Sequence, residues 1–324
     1  MAQAKRRRRR RLNPNFLILL AALAAILVLI VCLAVSCSGP EAPADETEPS
    51  STEPETGWQK EDGKYYYLNE DGSRATGWLE ADGKRYLLDA EGFTQKGWVE
   101  DGGNTYYLLK DGSVATGTVQ IDGVNRHFTS AGLPILVVNP WNAVPEGYAP
   151  DLVELGADIS VEGSQVDRSC YDALMRMIKD CNKECPKVCV VSSYRTHEYQ
   201  TNSYNRKVQY YLDKGYTQAD AEKEAATIIA KPGTSEHQLG LAVDIIDTRL
   251  WALEEEQETL PAQKWLMENC WKYGFILRYP KNKIDSTGII YEPWHYRYVG
   301  EAVAKELHES GQTLEEYLQA LTSD

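Results

Sequence analysis

The chain holds five histidines, and two of them stand in settings that carry chemistry. His237 lies in Thr234-Ser235-Glu236-His237-Gln238-Leu239-Gly240-Leu241-Ala242-Val243-Asp244. A loop delivers the imidazole, Gly240 permits an unusual turn or a close backbone approach, and the run Leu241–Ile245 reads as a strand that brings Asp244 back. An acid between Val243 and Ile245 is costly to bury unless something pairs with it. The second setting is Tyr291-Glu292-Pro293-Trp294-His295, a carboxylate and an imidazole three residues apart. His237, Asp244 and His295 make a three-ligand set with an open fourth position, which is how catalytic zinc is held. Glu292 would then take a proton from water as general base. Other readings of the same residues stand beside this one. Two histidines and one carboxylate also suit non-haem iron, a lone histidine is commonly packed or exposed, and a strand acid can simply pair with arginine. His127, His197 and His308 receive no role.

These residues need a scaffold. Asp167–Asp180 has helical apolar spacing, Lys187–Val191 is a short β run, and Thr217 with Asp220 starts a helix to about Ile229. Ile135–Val138 reads as a strand, Lys264–Tyr273 as helical, and Thr313 with Glu316 caps a terminal helix. Strands and helices mix without regular βαβ alternation, so the expected class is α+β.

The N-terminal part has its own signals. Lys5 and Arg6–Arg11 precede Phe16–Val35, twenty residues without a charge. That length just spans a ~30 Å hydrocarbon core, and the basic flank keeps the N-terminus cytoplasmic. The expectation is an uncleaved single-pass anchor in the cell membrane with the remainder outside. The alternative is a lipoprotein, with Leu33-Ala34-Val35-Ser36-Cys37 as a degenerate lipidation box and Cys37 as the modified residue. Residues 36–56, rich in Pro, Glu, Ser and Thr, read as a disordered linker. Net charge is −14 despite the arginine run, which argues against nucleic acid as partner. Cys170, Cys181, Cys185, Cys189 and Cys270 lie beyond the span. Five is odd, so at least one stays free or pairs between chains; spacing gives no connectivity.

A 20-residue repeat opens at Gly57-Trp58, Gly77-Trp78 and Gly97-Trp98, with a decayed fourth copy at Gly117-Thr118. Aromatic runs separated by Asp62-Gly63 or Asp82-Gly83 are hairpin signals, and marginal hairpins must stack. With this period and register, residues 57–135 resemble cell-wall-binding repeats of the choline-binding type. In that family aromatic cages hold choline by cation–π attraction. By the resemblance Trp58, Trp78 and Trp98 are cage aromatics, but the second cage position holds Tyr65, Arg85 and Thr105, and an arginine there repels a cation. The array is expected to bind wall polymers or to act as a rigid spacer.

Further motifs fall in order along residues 136–324. Leu136-Val137-Val138-Asn139 comes first, then Ser192-Ser193-Tyr194-Arg195 followed by Gln200. Ser235-x-His237-x-x-Gly240-x-Ala242-x-Asp244, Gly274–Tyr279 and Glu292-Pro293-Trp294-His295 complete the set. Together they resemble the VanY-type D-alanyl-D-alanine carboxypeptidases, in the wider group with lysostaphin-type peptidases and the hedgehog signalling domain. The resemblance implies an α+β zinc peptidase fold, with Zn2+ on His237, Asp244 and His295 and Glu292 as base. It gives Arg195 to the oxyanion or to the substrate's terminal carboxylate. Ser235 would help position substrate, and Gln200, Tyr194 and Trp294 serve substrate binding or packing. The implied substrate is the peptidoglycan stem peptide: D,D cleavage of pentapeptides, or alternatively L,D cleavage of tetrapeptides. A non-catalytic, zinc-holding wall protein is the rival, and a base beside the ligands argues against it. The expected organisation is a basic tail (1–15), anchor (16–35), linker (36–56), repeats (57–135) and catalytic domain (136–324).

Overall fold

A computed structural model describes residues 56–322, which fall within one compact unit. The tail, the expected anchor at residues 16–35, Cys37 and the linker up to residue 55 lie outside the described residues. Among the described residues no helix is long and apolar enough to cross a membrane.

The repeats form four antiparallel hairpins: β1 (Gly57–Glu61) with β2 (Lys64–Leu68), β3 (Gly77–Ala81) with β4 (Lys84–Leu88), β5 (Gly97–Asp101) with β6 (Asn104–Leu108), and β7 (Gly117–Ile121) with β8 (Val124–Phe128). Each turns through two residues. In Asp82-Gly83 both residues have positive φ (51° and 72°), the backbone that matches the twist of the flanking strands. The 20-residue period becomes a stack because each tryptophan reaches into the next copy. Trp58 packs 4.5 Å from Tyr86, and Trp78 packs 4.9 Å from Tyr106. Their indole N–H groups donate to Asp82 (3.1 Å) and Asp101 (2.9 Å). Such ring pairs contribute about 0.5–1.5 kcal/mol beyond area burial.

β9 is only Pro134–Ile135, paired with β8, so the strand expected over Ile135–Val138 stops early. The carbonyl of Leu136 accepts from Arg297 Nη2 at 2.7 Å. The backbone there is claimed by a side chain rather than by a ladder, while Val137 and Val138 are still buried.

Beyond this point come β10 (Leu152–Glu154), β11 (Gln165–Asp167), α1 (Arg168–Glu184), β12 (Val188–Ser192), α2 (His197–Asp213), α3 (Gln218–Ala226), β13 (Ala242–Asp247), α4 (Pro261–Asn269), β14 (Phe275–Leu277), α5 (Ile284–Thr287), β15 (His295–Tyr298), α6 (Glu301–Ser310) and α7 (Leu314–Leu321). Asp167 caps α1 by accepting from Ser169 N, and the Thr313–Glu316 capping box starts α7. The helix expected to reach Ile229 ends at Ala226. The one expected over Lys264–Tyr273 starts at Pro261 and finishes as a 3-10 turn, Cys270–Tyr273. All five described cysteines are free thiols, four of them buried.

Four strands make one antiparallel sheet in the order β12-β13-β15-β14. Alternation along a strand gives it two faces. Val243, Ile245 and Tyr296 join Leu174, Met177 and Leu266 of α1 and α4 in the main core, and each fully buried aliphatic contributes ~1.5–3 kcal/mol. Asp244, His295 and Arg297 therefore point to the opposite face. A second core joins α6, α7 and β14 through Leu307, Leu314, Leu318 and Ile276. The last repeat rests on that helix pair. Ser130 N donates to the Tyr317 hydroxyl (2.9 Å), and Thr118 N donates to Thr322 Oγ1 (2.9 Å).

Candidate active site

The sheet register brings the distant motifs together. Asp244 of β13 lies directly across from His295 of β15, and Oδ1 is 3.0 Å from Nδ1. His237 enters on a 3-10 turn, Glu236–Leu239, that ends on Gly240 at φ 73°. A Cβ at Gly240 would meet Asp167 N at 2.9 Å, so the motif glycine serves both the turn and a close backbone approach. His237 Nδ1 is 2.7 Å from Ser193 O. A carbonyl only accepts, so Nδ1 carries the proton and Nε2 presents a lone pair 3.3 Å from Asp244 Oδ2.

One ligand atom from each of His237, Asp244 and His295 lies within 4.8 Å of the others, and all three residues are buried. Tetrahedral zinc with bonds of ~2.0–2.1 Å separates its ligand atoms by about 3.4 Å, so the spacing fits such an ion. Two of the three charge states fit as they stand; burial works against charging His295, but Asp244 and Glu236 outweigh it and raise the ring to about 9, so a metal there would displace a proton. Burial, reinforced by Arg195, pushes His237 down to about 4, which keeps the ring neutral. Burial works against ionising Asp244, but the surrounding His237, His295 and Arg195 outweigh it and hold the carboxyl well below its usual range.

Arg195 follows β12 and precedes α2. Its Nε donates to Ser192 Oγ (2.9 Å) and its Nη2 to Asp244 Oδ2 (2.8 Å). The strand acid is thus paired with an arginine and also belongs to the metal cluster, so two sequence readings hold together. Glu292 sits before β15 with its carboxylate 3.7 Å from His295 Nδ1. Burial pushes it up to about 8, against the pull of His295 and Arg195; a cation held by the cluster would draw it back toward the ionised form that a base needs.

A cleft of ≈ 200 Å³ opens onto these groups. Arg195, Ser235, Glu292 and Trp294 line it beside the three cluster residues. Gln200 does not line the cleft; fully buried, it donates through Nε2 to the carbonyl of Ala230, which does (2.7 Å). Tyr194 is half-buried outside it, with its backbone N bonded to Gln165 O. The sequence also offered the segment Asn205–Lys231 as a shaper of the pocket, and residues from it and from elsewhere gather here. Lys207 comes from α2, Ile228 and Ile229 from the turn after α3, and Leu253 and Ile289 from loops. The Tyr279 ring packs 4.7 Å from His295. Glu236, without an assigned role, is fully buried against Arg278 and Arg297. Its only sequence signal was a charged residue beside His237 in an otherwise buried turn.

In the repeats, the rings of Trp78 and Trp98 each carry an arginine, and so does Tyr66. The Arg85 guanidinium lies 4.5 Å over Trp78, Arg126 lies 5.7 Å over Trp98, and Arg74 lies 4.0 Å over Tyr66.

Comparison with known proteins gives the same two regions. The family model described as VanY, D-alanyl-D-alanine carboxypeptidase, matches residues 163–301. Models of a choline-binding repeat and a cell wall binding repeat match residues 55–92 and 96–114. A D-alanyl-D-alanine carboxypeptidase of Enterococcus faecalis is 40% identical over 184 residues, which cover 57% of this chain and 65% of that relative. The match thus spans slightly less than two thirds of the relative's length. The structure of a vancomycin-resistance D,D-pentapeptidase VanY variant in complex with Zn(II) is 40% identical with a TM-score of 0.51, covering 56% of this chain and 97% of that one. That of the LD-carboxypeptidase LdcB is 34% identical with a TM-score of 0.53, covering 64% and 95%.

Proposed function

The chain belongs to the VanY family of D-alanyl-D-alanine carboxypeptidases, and from that premise we propose that it is a zinc-dependent hydrolase that releases the terminal D-alanine of peptidoglycan stem peptides. The observation that carries this reading is the convergence of His237, Asp244 and His295 with Glu292 and Arg195 at one small cleft. His237, Asp244 and His295 would hold the ion. The chemistry a bound zinc supplies at such a centre is Lewis-acid polarisation of a carbonyl and acidification of water.

The chain's own groups do the rest. Glu292 takes the proton of the attacking water and returns it to the leaving amine. Arg195, permanently charged and forked, stabilises the developing oxyanion or grips the terminal carboxylate. Ile228, Ile229, Leu253 and Ile289 give the cleft apolar wall suited to alanine methyl groups. The volume is below the ~300–1,000 Å³ typical of pockets for drug-sized ligands, which favours removal of a small end residue over cutting within a cross-link.

The repeats and the expected anchor complete the reading. The apolar span would tether the enzyme at the outer membrane face, and the repeats would hold it against wall polymers, raising its effective concentration there. L,D cleavage is the second reading, favoured by the likeness to LdcB. Incubating the zinc-loaded protein with muramyl tetra- and pentapeptides, followed by mass spectrometry, tests both. Loss of one alanine from the pentapeptide alone is expected. Loss from the tetrapeptide would move the reading to L,D, and an intact pair would refute a carboxypeptidase.

A further inference from the structure

Two buried polar atoms near the metal cluster face each other without a hydrogen bond. His295 Nε2 and Glu236 Oε2 each lack a partner among the described residues, and they lie 3.6 Å apart. Leaving two such groups unmet in the interior is costly. A closure of a few tenths of an ångström joins them. The other oxygen, Oε1, is fixed: it accepts from Arg278 Nε at 2.8 Å and Arg297 Nη1 at 2.9 Å. Both guanidiniums are themselves buried and anchored. Arg278 Nη1 donates to Glu315 of α7 at 3.0 Å, and Arg297 Nη2 holds the Leu136 carbonyl. A carboxylate clamped on one oxygen by two arginines, with the second oxygen facing a ring nitrogen, is built as an acceptor.

We propose that Glu236 is a positioning residue for the metal centre: its Oε2 accepts the Nε2–H of His295, so that Nδ1, a donor to Asp244 Oδ1 at 3.0 Å without an ion, gives its lone pair to a bound metal. The ring is then fixed in tautomer and tilt from behind, as the backbone carbonyl of Ser193 fixes His237. Outer carboxylates that orient a ligating imidazole raise its basicity, and losing one typically lowers metal affinity about 10–100-fold. Glu236 does not touch the cleft, and it acts only through His295. The same clamp ties the centre to α7, the helix on which the last repeat rests.

This inference depends on the metal-centre reading, and one experiment separates the two. Zinc affinity of the full chain and of Glu236→Gln is measured at equilibrium against a chromophoric chelator, with circular dichroism as the control for folding. A fall of about 10–100-fold in the folded variant is expected. Equal, tight binding by both forms would overturn the role of Glu236 and leave the metal centre standing. Absence of binding by the unaltered chain would sink the centre itself. Because the variant leaves two buried arginines without their shared counter-charge and can fail to fold, the native protein supplies a second readout. Long-range proton–nitrogen spectra of the zinc-loaded chain, labelled on histidine, are expected to show His295 protonated on Nε2 and His237 on Nδ1. A His295 proton on Nδ1 would overturn the proposal.

Discussion

Arg195 Nη2 donates to Asp244 Oδ2 at 2.8 Å, the oxygen that also faces His237 Nε2 at 3.3 Å. A permanent cation that lines the cleft is therefore tied to an acid of the metal cluster. The contact adds to the larger pull of His237 and His295 in keeping the acid ionised, and it holds the guanidinium at the cleft wall.

Replacing that fork by a single ammonium tests its catalytic part. Arg195→Lys keeps the charge but cannot serve Ser192, Asp244 and substrate together. A fall in kcat/KM of about 10²–10³-fold is expected from steady-state assay on a pentapeptide, the scale of losing one oxyanion donor. A rate within a few-fold of the original would reduce Arg195 to a charge partner of Asp244.

Glu292→Gln separates proton transfer from metal binding. The amide is isosteric and lies outside the three-residue cluster, so zinc content by elemental analysis should stay at that of the unaltered protein. kcat should drop about 10²–10⁴-fold, the usual contribution of a positioned base. Near-native turnover would remove Glu292 from the mechanism.

In the repeats, the guanidinium of Arg85 already occupies the face of Trp78. A quaternary ammonium would have to displace it, so choline at millimolar concentration should leave the contribution of Trp78 to the fluorescence, read against Trp78→Phe, unchanged. Arg85→Ala should uncover the ring and introduce a choline-dependent change. A saturable response before substitution would show that the arginine yields its place.

The thiols give a probe of folding. Burial pushes Cys170, Cys181 and Cys270 up to about 12, whereas Cys185 is only half-buried. A maleimide pulse on the reduced native protein, read by peptide mass spectrometry, should label Cys185 first. The other three should react only under denaturant. Rapid native labelling of Cys270 would show that the packing of α4 on α1 opens readily.

Much of this was legible in the chain because it is local. The Asp82-Gly83 turn requires positive φ, and the repeated Gly-Trp register announces hairpins that must stack. Thr313 and Glu316 mark a helix start, and period-2 alternation around Asp244 sets it on the face opposite Val243 and Ile245. Where the strand expected over Ile135–Val138 stopped short, a long-range group had intervened. Leu136 leaves the ladder because Arg297, 161 residues away, takes its carbonyl. Gln200 turned from the cleft to hold Ala230.

The sequence by itself determined which residues could bind a metal and accept a proton, since imidazole and carboxylate chemistry belongs to the side chains and the motifs keep each local spacing. Only the tertiary structure decided that they meet. The register of β13 against β15 sets Asp244 opposite His295. The turn at Gly240 delivers His237 beside them. Buried Arg278 and Arg297 make Glu236 a clamp behind the site. No spacing along the chain encodes those relationships, because each depends on which strand pairs with which and on which charges are shut away from water together.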